Sequence, residues 1–332
     1  TIRLMKRFTP LPWAILLAGF ATSSACGPST PQFAVQQPVL KAKLDNGIRL
    51  VVIPDETTPL VQVDVRYEVG ANEDPVGKAG LAHLVEHMMF QHRFGSEDTP
   101  IEKRSPTFQH LPQIATFFNA YTIWDKTHYF LQAPKQDLPT LLKLEAARLS
   151  TGCNLIPEEQ FQREREVVRA EIRGSLENAQ GLMLYEALRL AFPEKHPYHE
   201  MVGGNDEQLS NITMEDVCTF MKDYYVPSRA TVIVTGNVNL EDTGKMVSQF
   251  FGGIPKGTPA PRVPVTPVAL KKQTVTQEFD MERDVVNVLW ALPPHFTAEH
   301  DNAWFMQYAF ASLAGSMADQ YDVCEYAGGF EL

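Results

Sequence analysis

Two histidines four residues apart with a glutamate between them, His83-Leu84-Val85-Glu86-His87, call for a helix. Positions i, i+3 and i+4 share one helical face, so both imidazoles and the carboxylate would point to one place. Such a face can chelate zinc and set a carboxylate beside it to take a proton from an activated water. The order inverts the commoner H-E-x-x-H arrangement. With 9 His and 40 Asp plus Glu in 332 residues, chance would yield the pattern about 0.03 times. A pair of exposed histidines on an amphipathic helix is the bland alternative, and that number disfavours it. Hydrolytic zinc needs three protein ligands and one open position. The fold must therefore bring a third donor to this helix from elsewhere in the chain.

The length predicts roughly two domains. Hydrophobic content of 44% with 21% charged residues is ordinary for a globular chain. A net charge of −11 argues against nucleic-acid binding, which requires a basic face. The first residues read as a leader, with Met5 as the expected start. Lys6 and Arg7 precede the apolar run Leu11 to Ala21, which is too short to span a bilayer. Cys26 after Ser-Ser-Ala resembles a lipoprotein cleavage site, where the cysteine is acylated; plain cleavage after Ala25 is the alternative. The expected destination is the periplasm or outer membrane of a bacterium, with a lipid on Cys26 as the only membrane attachment. Cys153, Cys218 and Cys324 match no disulfide or zinc framework; Cys153 and Cys218 are expected to be small buried residues.

Residues 1–26 are thus a signal and 27–37 a Pro-, Ser- and Gln-rich tether. Asp45-Asn46-Gly47 predicts a hairpin turn between strands Leu40 to Leu44 and Ile48 to Ile53. Val61 to Val69, His128 to Gln132 and Ala230 to Thr235 read as further strands. Leu138 to Leu149, Pro157 to Asn178, Leu182 to Phe192, a helix capped by Thr213 and running to Tyr224, and Leu240 to Phe251 read as helices. Strands and helices mix without strict alternation, which predicts an α+β domain over 38–254. Five prolines in 255–267 read as an interdomain linker, and 268–332 as the start of a second domain.

A candidate third ligand lies in Glu164-Arg165-Glu166-Val167-Val168-Arg169-Ala170-Glu171. Glu164 and Glu171 are two helical turns apart and share a face. Alone, that spacing on a charged helix is most often a solvated surface.

The run from Gly80 to Phe90 resembles the active-site helix of the insulinase, or pitrilysin-like, metallopeptidases of family M16. Phe161 to Ile172 resembles that family's downstream glutamate helix. Asn119-Ala120-Tyr121-Thr122, His196-Pro197-Tyr198 and the run from Ile212 to Gly236 are similar to further segments of it, in the same order. The resemblance implies an antiparallel sheet with packed helices in two similar domains closing like a clamshell, the second incomplete in this chain. It implies that 38–254 is a catalytic domain binding one zinc through His83, His87 and Glu171. Glu86 would be the general base, and Glu164 a catalytic carboxylate acting from behind the ligands. Asn119, Ala120 and Tyr121 would lie near an edge strand that takes an extended peptide; a turn residue and a core aromatic are the bland readings of Asn119 and Tyr121. A zinc endopeptidase is the expectation, and a non-catalytic partner subunit of a two-chain peptidase the alternative. A homologous subunit could complete the chamber. Capture of zinc without catalysis would need only the ligands and not Glu86. The gap from His87 to Glu171 exceeds the family norm, and the extra residues are expected in a polar loop over Ser96 to Gln109. His92 and His110 are expected at the surface beside it, and His196 and His199 in another loop.

Overall fold

The computed structural model describes residues 38–266, except 96, 97, 101, 102 and 178, together with the isolated positions 268, 276 and 278. The leader, the tether, Cys26, Cys324 and nearly all of the expected second domain lie outside the described residues.

The Asn-Gly turn joins β1 (Leu40–Lys43) to β2 (Arg49–Pro54) as an antiparallel pair, with Gly47 at φ 101°. Next comes β3 (Leu60–Tyr67), in which Val61, Val63, Val65 and Tyr67 are buried on one face, the period-2 alternation of a half-covered strand. Helix α1 (Leu81–Phe90) follows. Within the expected polar loop, β5 (Ser105–Pro106) pairs with β4 (Arg93–Phe94) as a two-stranded ribbon and leads into α2 (Thr107–Ile114). Then β6 (Phe117–Thr122) and β7 (Thr127–Pro134) form a hairpin, followed by α3 (Leu138–Thr151), α4 (Glu158–Glu177) and α5 (Ala179–Ala191). The short α6 (Asp206–Ser210), α7 (Met214–Tyr224), β8 (Ala230–Gly236) and α8 (Leu240–Phe251) complete the order. Thr213 caps α7 as expected, in a reciprocal box with Asp216.

The main sheet runs β1-β2-β8-β3-β7-β6. Its neighbours are antiparallel except β2 with β8, which are parallel. No hairpin links those two strands, so no tight turn fixes their direction. Helices α3 and α8 pack on the apolar face, and α1 lies among α4, α7 and the end of β6. β6 is an edge, and Phe117, Asn119 and Tyr121 alternate as its exposed residues.

The segment from Pro255 to Thr266 lies along this body. Ala260 N donates to Asp223 O at 2.9 Å, Arg262 reaches Glu73 and the carbonyl of Asp125, and Val265 packs beside Trp124 and Tyr198.

Two glycines let the chain pass tightly beside α1. A β-carbon on Gly203 would overlap Ile172 of α4, and one on Gly204 (φ 70°) would overlap the Ala79 carbonyl. Gly204→Ala is expected to cost about 3 kcal/mol or more, combining left-handed strain with the backbone clash. Urea unfolding checks this; an unchanged midpoint would show that the Ala79 loop gives way freely.

Candidate metal centre

Helix α1 starts without a side-chain cap of its own at Gly80, whose φ of 95° only glycine adopts readily. Asp74 supplies the cap from outside: its carboxylate accepts from Gly80 N and Ala82 N, both at 2.8 Å. Leu81, Ala82, Leu84, Val85, Met88 and Met89 bury the helix. His83, Glu86 and His87 are left on the face turned to α4, with the two imidazole rings 5.0 Å apart and perpendicular.

From α4, Glu171 brings one carboxylate oxygen to 4.0 Å from His83 Nε2 and the other to 3.6 Å from His87 Nε2. One donor atom from each of His83, His87 and Glu171 lies within 4.8 Å of the other two. Three donors about 2.1 Å from one tetrahedral ion sit about 3.4 Å apart, so a small closure of Glu171 would complete a site. Its side chain is half exposed. The donor set, two nitrogens and one oxygen, suits zinc. The spacing on α4 is therefore not a plain solvated face: Glu171 and Glu164 converge on the histidines.

Glu164 stands on the far side of His87, its Oε2 3.5 Å from Nδ1. Gln91, just past the end of α1, donates to the other oxygen at 3.0 Å. A carboxylate behind a liganding imidazole orients the ring and raises its basicity. Glu164 contacts His87 and Gln91, the place expected of a carboxylate acting from behind the ligands.

Burial pushes the Glu86 carboxyl up, against the opposing pull of a 2.6 Å hydrogen bond from Thr122 Oγ1 and of His87. Thr122 ends β6, so the edge strand and the carboxylate are tied directly. Burial, with His87 adding, holds the His83 imidazole down to about 4, leaving it a neutral donor at neutral pH. Burial also acts downward on His87, but Glu164, Glu86 and Glu171 outweigh it and raise that ring.

Asn119, Ala120 and Tyr121 all fall on β6. Asn119 and Tyr121 are exposed on one side, and Tyr121 meets His128 edge-on at 5.1 Å. Neither bland reading holds: Asn119 is in a strand, and Tyr121 is not in the core.

Three expectations need correction. His92 is not at the surface: it is 2% exposed, against Thr151 Oγ1, because the ribbon and α2 close over it. Burial, aided by Arg148, holds it down to about 4. His110 is half-buried against Phe94. His199 does lie in a loop turn, Pro197–His199, where it is buried and donates from Nδ1 to Phe192 O at 2.8 Å. Cys153 and Cys218 are not separate small residues but a disulfide, with Cα atoms 5.1 Å apart across 65 residues of sequence. No spacing rule reveals a bridge that only the packing of two distant segments creates.

Comparison with known proteins agrees with this geometry. The description "Insulinase (Peptidase family M16)" matches residues 49–202, and "Peptidase M16 inactive domain" matches 211–318. The zinc protease PqqE of Helicobacter pylori is 29% identical over 248 residues, covering 74% of this chain and 54% of that protein. Human insulin-degrading enzyme is 27% identical over 233 residues, covering 68% of this chain and 22% of that enzyme. A crystal structure of a protease from Helicobacter pylori superposes with a TM-score of 0.61 at 26% identity, covering 71% of this chain and 55% of that one. The chain spans about half the length of the Helicobacter relatives it matches. Two successive matches to one family, the first spanning both helices that form the site, place the chain in peptidase family M16, the insulinase family.

Proposed function

We propose that the chain is a zinc endopeptidase that cleaves extended peptides or unfolded segments after export from the bacterial cytoplasm. The observation that carries this reading is the convergence of His83, His87 and Glu171 beside a buried Glu86. Zinc held by the three would supply a Lewis acid and a water of much lowered pKa. Glu86 takes a proton from the attacking water and delivers it to the leaving amide nitrogen. Thr122 holds that carboxylate at the end of β6. A peptide pairing with the free edge of β6 would lay its backbone past Asn119, Ala120 and Tyr121, alternate side chains on the Tyr121 side. Glu164 keeps His87 aimed. The leader read over residues 1–26 and the disulfide, which persists in oxidising compartments, support the exported location; acylation of Cys26 is part of the same proposal. We place the catalytic domain at 38–254, the linker at 255–267 and part of a second, similar domain at 268–332. A homologous subunit or further domain would close the chamber.

The match of 211–318 to an inactive-domain description favours one competitor, a peptide-gripping subunit without turnover. A zinc titration paired with a quenched-peptide assay, with and without chelator, decides. One zinc per chain and chelator-sensitive cleavage is the expected result. Zinc binding without cleavage, even with neighbouring subunits present, would select the competitor. No zinc binding would reject the site.

A further inference from the structure

We infer that the Cys153–Cys218 disulfide is a redox latch that holds the third-ligand helix in place for zinc; the inference rests on the zinc reading above. Helix α4 is lightly anchored: of its 20 residues only Phe161, Glu164, Val168 and Ile172 are buried. Its other ties include the part-buried hydrogen bonds of Arg169 to Asp206 and of Arg165 to the Ile212 carbonyl, each at 2.9 Å.

Cys153 sits in the turn Gly152–Leu155 that leads into α4. Ile156 N donates to Cys153 O at 3.1 Å, and Gln160 and Phe161 N donate to Pro157 O, so the cysteine is coupled to the first turn of the helix. Cys218 lies in α7, which packs against the His83 and His87 helix. The bridge is the sole covalent cross-link among the described residues, and it connects the root of the glutamate helix to the support of the histidine helix. Both cysteines are partly exposed.

Reduction by a dithiol passes two electrons and two protons to the pair. It leaves two protein thiols and the oxidised, cyclic dithiol. With the bridge open, the start of α4 is released from α7, and Glu171, already half exposed, is no longer held opposite the imidazoles. In a reducing cytoplasm the site would be loose and poorly metallated; in an oxidising compartment it would lock. Zinc capture would thus follow export.

The test compares oxidised protein, protein treated with dithiothreitol, and the double variant Cys153→Ser/Cys218→Ser, which also removes thiols that could bind zinc themselves. Zinc affinity is measured by chelator competition, and backbone hydrogen exchange is followed over 158–171 and over β3 and β7. The latch requires zinc affinity about tenfold or more weaker in both opened forms, a loss of the size seen when ligand support is removed. It also requires faster exchange over 158–171 with unchanged protection in β3 and β7, and no effect of dithiothreitol on the variant. Equal affinity, or equal exchange over 158–171, overturns it. If even the oxidised protein takes no zinc, the metal reading fails; faster exchange over 158–171 then still supports the mechanical latch, and unchanged exchange rejects it.

Discussion

Glu86→Gln is expected to bind zinc as the parent chain does and to lose about 10³-fold or more in kcat, the upper range for removing a positioned general base. That loss corresponds to about 4 kcal/mol of transition-state stabilisation. The amide is isosteric and can still accept from Thr122 Oγ1, now at 2.6 Å from the carboxylate, so the 7% exposed site keeps its packing. It cannot take a proton. Zinc content by metal analysis and single-turnover cleavage of a quenched peptide check the two halves separately. Undiminished turnover would remove Glu86 from the role. The acidic limb of the pH profile supplies an independent check, because the base works only when ionised. Burial raises the Glu86 pKa, so activity should fall as pH drops through a value above the ordinary carboxylate range. The Thr122 hydroxyl opposes that rise, and Thr122→Val should move the limb to still higher pH.

The H-x-x-E-H face was legible because helical geometry leaves little freedom: a short run fixes three directions at once. Helices α3, α4, α7 and α8 and the β1–β2 hairpin were legible for the same local reason, through periodicity, Thr213 and Asn46-Gly47. What escaped was non-local. Asp74 caps a helix that starts seven residues later. The parallel partnership of β2 and β8 joins segments 182 residues apart (Arg49 with Thr231 is one such pair), and no local signal encodes it. Arg148 and Glu145 read as ordinary charged positions on α3, yet both are fully buried. Arg148 sits between the rings of Phe90 and Tyr129 at 4.9 and 4.7 Å, an environment created by α1 and β7 together. The disulfide and the burial of His92 depend likewise on elements far away in sequence. Glu171 lies between these cases: its residue pattern was visible, but its meeting with His83 and His87 required the packing of α1 on α4.

Glu171→Ala and Glu164→Gln separate a ligand from the group behind it. Glu171 is half exposed, and its carboxylate contacts are the two imidazoles. Its removal should leave the zinc-free protein within about 0.5 kcal/mol of the parent, as exposed substitutions usually do. It should nevertheless strip zinc during dialysis against a mild chelator, because two imidazoles alone leave the site short of the three protein ligands that catalytic zinc uses. Glu164 is nearly buried, holds His87 Nδ1 at 3.5 Å and accepts from Gln91. Its amide keeps shape and hydrogen-bonding capacity but loses the charge that orients and polarises the ring. Zinc affinity should then fall by about 10–100-fold without vanishing. The order of the two losses decides the assignment. A larger loss in Glu164→Gln would exchange their roles, making Glu164 the ligand and Glu171 its support. Full zinc retention in both would mean that the ion, if any, binds without α4, and the proposed hydrolytic site would have no third protein ligand.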